Sequence, residues 1–349
     1  MIGNDFNLEG PGNRARAAPR NLNSIMKPQL AREIIACLPK GRTHFRYFKD
    51  RYAFYLLAYA TGRGRSISEL KLSPVRRLLD KPSVKQLIAR HGDNVINRSD
   101  LLNSWIEPSE PFVLGLGIWN GSSKHWRNAQ ISRRGANLVL QLNFTNQHQA
   151  EYYRLVKPRS TGYLNGYGHP VLRAGPGKFH RDTLAWARID LDFGADEALI
   201  EEIQSDWIRY ADWDLRPVLK CRYRARQCGL CKNIDGKKRD IAHYLEHTLK
   251  PYREIWIEAM LAATIEFIAD ELGIGAIYYH TQRSGAALKN IHSGYRQPPR
   301  SLYSDLPRKF CFQSTNRPPE FLGAGRHGAG KANKYPWYLL RVAAANTTS

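Results

Sequence analysis

The sequence predicts an α+β protein, with a mainly helical N-terminal module followed by a mixed-sheet α/β domain. Three observations predict it. Helical periodicity dominates the first hundred residues. Thr183–Asp206, TLAWARIDLDFGADEALIEEIQSD, reads as two strands joined by a tight turn. Pro251–Leu272 is apolar on most faces and leads into the short apolar strand AIYYH, as a helix buried against a sheet would.

Taken in order, residues 1–25 are rich in Gly, Pro, Asn and Arg and read as a disordered basic arm. Residues 26–107 form the helical basic module. Its helices are expected at Lys27–Leu38 and His44–Ala60, the second closed by Gly62 and Gly64, and shorter ones at Pro74–Leu79, Ser83–His91 and Ser99–Trp105. Phe45, Tyr47, Phe48, Tyr52, Phe54 and Tyr55 interleave with Arg46, Lys49 and Arg51. That mixture suits a nucleic-acid surface, and equally an amphipathic helix with an aromatic core face.

Pro108–Pro111 begins the second domain, 108–349. Phe112–Trp119 and Asn137–Phe144 are strands by alternation and β-branching, and Gln147–Leu155 is a short helix. Pro158–Arg181 is loop. In Thr183–Phe193, Ala187, Ile189, Leu191 and Phe193 point one way and Arg188, Asp190 and Asp192 the other, the pattern of a half-buried strand. Ala198–Asp206 follows across Gly-Ala-Asp-Glu, a connection that suits a hairpin. Trp207–Val218 is helical, 216–250 is a basic Cys/His insertion, and Pro251 suits the first turn of the long helix. Ala276–His280 is a strand, Gly285–Ile291 a helix. A strand near Lys309–Gln313 and another at Leu339–Ala343 complete the order.

A chain of 349 residues makes one large or two ordinary domains. The net charge of +22 implies attraction to polyanions: nucleic acid first, an anionic membrane or acidic cofactor second. A basic protein that merely resists aggregation would share that charge. No apolar run reaches the length of a membrane span, and the N-terminus lacks the core of a signal peptide, so a cytoplasmic location is expected. Five cysteines make no disulfide framework at this size. The sequence does not specify an oligomeric state.

Three patterns point to chemistry. Cys228, Cys231, His243 and His247 approximate the spacing of a structural zinc site, with His243 and His247 on one helical face and Cys221 nearby. Two buried thiols and two surface histidines would give the same spacing. Glu202, Gln204 and Asp206 share a strand face by alternation, with Glu201 adjacent. His280 ends the strand after the buried helix, where strand C-termini face clefts, and Tyr295 and Tyr303 follow. These groups suit acid–base work, or else a set of side chains satisfied at a sheet edge. GAGRHGAGK at Gly323–Lys331 resembles a phosphate loop. It lacks a preceding strand and the Ser or Thr that would hold Mg²⁺, so it reads as a flexible basic loop.

The order hairpin, long helix, strand, helix resembles the GNAT-type acetyltransferase fold, through Thr183–Phe193, Ala198–Asp206, Pro251–Leu272, Ala276–His280 and Gly285–Ile291. The resemblance implies acyl transfer from acetyl-CoA. It also implies a tyrosine acid in AALKNIHSGY, which places Tyr295, and a reaction centre where the fourth and fifth strands splay. GNAT enzymes cradle the coenzyme A pyrophosphate on a glycine-containing loop at the start of the long helix. This chain has HTLKPYREIW there, so Lys250 and Arg253 would hold phosphate by charge. EALIEEIQSDW at Glu197–Trp207 is similar to a segment of large phage and mobile-element proteins. The expected function is a GNAT-like acyltransferase acting on or near nucleic acid. The alternative is a non-catalytic nucleic-acid-binding accessory protein.

Overall fold

The computed structural model describes residues 25–37, 44–62, 64–90, 95–121, 130–166, 172–173, 180–221, 232–291, 299–323 and 329–342. Eight strands form one mixed sheet: β1 (His44–Tyr47), β2 (Glu110–Gly121), β3 (Gly135–Asn143), β4 (Thr183–Asp192), β5 (Glu197–Gln204), β6 (Ala276–His280), β7 (Gln313–Thr315) and β8 (Trp337–Arg341). Their spatial order is β1-β2-β3-β4-β5-β6-β8-β7. Every neighbouring pair is antiparallel except β5 and β6, which run parallel at the sheet's centre.

The parallel pair is joined by a long helical crossover, as parallel strands require. It includes α4 (Asp206–Tyr210) and α5 (Lys250–Glu266), the latter extended by a π-turn at Phe267–Glu271. Ile255, Ala259, Ala262, Ala263 and Ile265 of α5 join Ala187, Ile189, Ile200 and Ile203 in one apolar core. Leu199, Ala276, Tyr278 and Trp337 pack in a second cluster. Both sheet faces are therefore covered, and all ten residues of β4 are buried. This corrects the expectation of a half-buried strand: Arg188 and Asp190 face a second layer of protein and find partners there.

The N-terminal expectation also changes, first at its second helix. His44–Ala60 is not one helix. His44–Tyr47 is the edge strand β1, paired with Glu110–Val113, and the helix is Arg51–Thr61 (α2), which lies in chain order between α1 (Pro28–Cys37) and α3 (Asn146–Leu155). Asp50, with φ 65°, turns the chain between them. α2 packs on α5, where the Tyr59 hydroxyl donates to Asp270 at 2.9 Å. Near the C-terminus, the strand expected at Lys309–Gln313 is shorter and later, at Gln313–Thr315, because Asp305–Lys309 is helical.

One irregularity decides what β5 presents. Ile189 pairs with Ile200 and Arg188 with Glu202, so Glu201 is an extra residue in the ladder, a β-bulge. Ile200 and Ile203, three residues apart, both reach the α5 core. Regular alternation cannot do that. After the bulge, Glu202 and Gln204 lie on the face opposite Ile203, the face that also carries Arg188.

Candidate functional site

The ladder between β5 and β6 ends at Ile200 and Tyr279. β5 continues for four more residues, paired only with β4. A cleft of about 630 Å³ opens there. Glu202, Gln204, Ile208, Arg209, Trp213, Trp256, Lys289 and Tyr303 are among the residues that line it. α6 (Gln282–Leu288) forms one wall through Gln282, Gly285 and Ala286.

Beneath the cleft, the sheet face opposite α5 carries buried charge. Glu201 and His280 are fully buried, with His280 Nε2 3.2 Å from Glu201 Oε2. The Ser132 amide donates to Glu201 Oε1 at 2.8 Å and its hydroxyl to Glu201 Oε2 at 2.9 Å. Burial pulls the His280 ring below its ordinary range, so it is neutral. The contacts assign its proton to Nε2, facing Glu201, while Nδ1 accepts from the Ser284 hydroxyl at 3.0 Å. Burial by itself would raise the Glu201 carboxyl. The hydrogen bond from His280 and the charges of Lys289 and Arg188 overcome it and hold the group below the ordinary carboxylate range.

Glu202 is paired with Arg188, whose guanidinium lies 4.8 Å from the Trp119 ring centroid. Burial opposes ionisation of Glu202, but Arg188 and Lys289 outweigh it and lower its pKa. Lys289 Nζ donates to the Glu201 carbonyl at 2.6 Å and lies 3.9 Å from Glu202 Oε2. Burial pulls this ammonium below the ordinary lysine range. Tyr303 is buried, which raises its phenol pKa and keeps it protonated. The cleft thus holds an ionised carboxylate, an amine of weakened basicity and a protonated phenol.

The residues predicted from sequence are placed differently. Glu202 and Gln204 line the cleft. His280 and Asp206 are sealed beside it: His280 supports Glu201, and Asp206 accepts from Gln204 Nε2 at 2.7 Å and from Trp186 Nε1 at 3.2 Å. Tyr295, Cys228 and Cys231 lie outside the described residues. Among the described residues no group of three or more His, Cys, Asp or Glu side chains is placed to hold a metal. The two described members of the Cys/His pattern, His243 and His247, are exposed with ring centroids 4.7 Å apart. That shared face is what zinc ligation by these two residues requires.

The cradle for a coenzyme A pyrophosphate does not fit. The chain is helical from Lys238 to Thr248, just before α5, and Arg253 N donates back to Leu249 O at 2.9 Å. Both oxygens of Asp212 accept from Arg253 Nη1 at 2.8 Å, and no glycine is present. Lys250 is exposed but is not among the cleft-lining residues.

Sequence reasoning missed Lys289, Arg188 and Ser132 as site residues. A lone lysine in the apolar run Gly-Ala-Ala-Leu-Lys was a usable signal for the first. Arg188 was read only as the polar face of a strand. Ser132 carried no signal. Among the described residues, no helix is long and apolar enough to cross a membrane. Compared with protein-family models, with curated proteins and with solved structures, the chain has no match.

Proposed function

We propose that the protein is a group transferase of GNAT-like architecture, moving an acyl or related group to an acceptor seated in the cleft between β5 and β6. One observation carries the reading: the parallel ladder stops at Ile200 and Tyr279, and a cleft containing Glu202, Lys289 and Tyr303 opens where it stops. In this reading Glu202, held ionised, accepts a hydrogen bond from the acceptor's N–H or O–H and orients it. The amine of Lys289, whose basicity burial lowers, takes the proton as the acceptor attacks when it is in its deprotonated form, and Tyr303 returns one to the leaving group. General acid–base transfers of this kind are worth roughly 10²–10⁴ in rate. The similarity of Glu197–Trp207 to phage-type sequences supports a mobile-element origin, and the charge supports a nucleic-acid acceptor.

A second reading, the non-catalytic accessory protein, is favoured by the commitment of Arg253 to Asp212 and the missing glycine loop. The two separate experimentally. Protein purified from cells is expected to retain its donor, seen by native mass spectrometry. Lys289→Met should keep the donor but fail to pass its group to added acceptor. Parent protein that retains no donor, or that passes no group to added acceptor, would falsify the transferase reading, whereas equal transfer by Lys289→Met would remove only Lys289 as the base.

A further inference from the structure

Two cavities adjoin along α6. The first is the cleft, whose mouth carries two indole rings: Trp213, 61% exposed, and the half-buried Trp256. The Arg209 guanidinium sits 5.5 Å from the Trp213 ring centroid. Gln130, Gln204 and Gln282 add amide groups to the lining. The second cavity, also about 630 Å³, is lined by Arg283, Lys331, Lys334 and Tyr335 and shares Gln282, Ala286 and Ile291 with the first. Lys331 Nζ donates to Asn290 Oδ1 at 3.2 Å. Among the described residues no ion pair engages any of these three cations.

The chemistry of the two spaces is complementary to the two halves of a nucleotide. Flat rings with a guanidinium beside them suit the face of a base, because stacking and cation–π attraction need no particular base identity. Amides suit base edges. A cluster of unneutralised cations suits phosphate. The cleft has the size of a pocket for one small molecule, so it admits one unstacked base and not a stacked duplex.

We propose that the two cavities together hold one strand of nucleic acid. One unstacked base lies against Trp213 and Trp256, and the adjoining phosphates lie against Arg283, Lys331 and Lys334. This rests on the cleft being the acceptor site, and it specifies that acceptor as single-stranded nucleic acid.

The test uses the full chain and a short fluorescein-labelled oligothymidylate, with binding followed by fluorescence anisotropy against its matched duplex. The single strand should bind more tightly than the duplex. Trp213→Ala should weaken single-strand binding roughly tenfold, and Trp213→Tyr should restore most of it. Trp213 is 61% exposed and its ring contact is the edge-on one with Tyr210, which Tyr at this position can keep. Replacing Arg283, Lys331 and Lys334 together by Gln should reduce the slope of log affinity against log salt by about 2. Absence of binding, or affinity that is equal for duplex and indifferent to Trp213, overturns the proposal. The transferase reading fails separately: it falls if the parent transfers no group to acceptor while the oligonucleotide binds as expected. The nucleic-acid proposal falls alone if transfer requires Glu202 but the cavity variants bind like the parent.

Discussion

Lys289 is the residue whose chemistry depends most on its surroundings. Removed from water, its amine becomes a weaker base than an exposed lysine, while the charge of Glu202 pulls the other way. Substituting Glu202 by Gln removes that charge, so the Lys289 pKa should fall further. In pH–rate measurements the rising alkaline limb of transfer should move to lower pH in Glu202→Gln, with the maximum rate reduced by roughly 10²–10⁴. An unmoved limb would show that Lys289 is not the group that titrates. His148 offers an independent check on burial. It stacks on Phe144 with centroids 3.6 Å apart, neither ring nitrogen has a hydrogen-bond partner among the described residues, and burial holds it down at about 3. An unfolded histidine titrates near 6.5. The unfolded chain therefore binds the proton first, and stability is lost as pH falls below about 6.5 toward 3, by up to roughly 4 kcal/mol. His148→Phe should remove that part of the acid sensitivity, so parent and variant melting temperatures should diverge below pH 6.5. Parallel curves would contradict it.

At the scale of elements, the β4–β5 hairpin sets the site. Its turn is held by Asp192 Oδ1, which accepts from the amides of Gly194 at 3.0 Å and Ala195 at 3.1 Å. The opposite-face charges of β4 are tied down by Arg133, bidentate to Asp190 at 2.6 and 3.0 Å. Arg133→Met should cost about 3–5 kcal/mol at neutral pH, because it strands a buried carboxylate, and less at acid pH where Asp190 protonates. Urea unfolding at the two pH values measures this, and a loss of equal size at both would contradict it. In the Cys/His insertion, about one zinc per chain is expected by elemental analysis, lost in Cys228→Ser and in His247→Ala. Metal-free parent protein of equal stability would remove the site.

The long strands were legible by their alternation, and α5 by a long run that is apolar on most faces between Pro251 and Gly273. β1 was not, because four residues of His-Phe-Arg-Tyr become a strand only through their pairing with Glu110–Val113. The bulge at Glu201 was equally hidden. Strict alternation places Glu202 and Gln204 on the face of Ile200, and only the ladder opposite Arg188 reveals the extra residue. Glu202 and Gln204 were still found, since charge at the end of a core strand asks for a reason. Lys289 was passed over because its role depends on burial against β5, a contact between residues far apart in the chain.

For the whole molecule, the sheet divides an apolar core on the α5 face from a layer of buried charged and polar pairs on the other, and the cleft opens at the strand ends where the two meet. Around this, a net charge of +22 makes association with polyanions a long-range property of the entire surface. Affinity for nucleic acid should therefore fall by orders of magnitude between low and physiological salt, and a flat salt titration would remove nucleic acid as a partner. Chemistry in the cleft on Glu202 and Lys289 is checked by native mass spectrometry of the purified protein mixed with a single-stranded oligonucleotide. The parent should retain a donor and increase the oligonucleotide's mass by the transferred group, while Glu202→Gln should retain the donor and leave that mass unchanged. An oligonucleotide of unchanged mass with the parent, or of equally increased mass with both proteins, would contradict it.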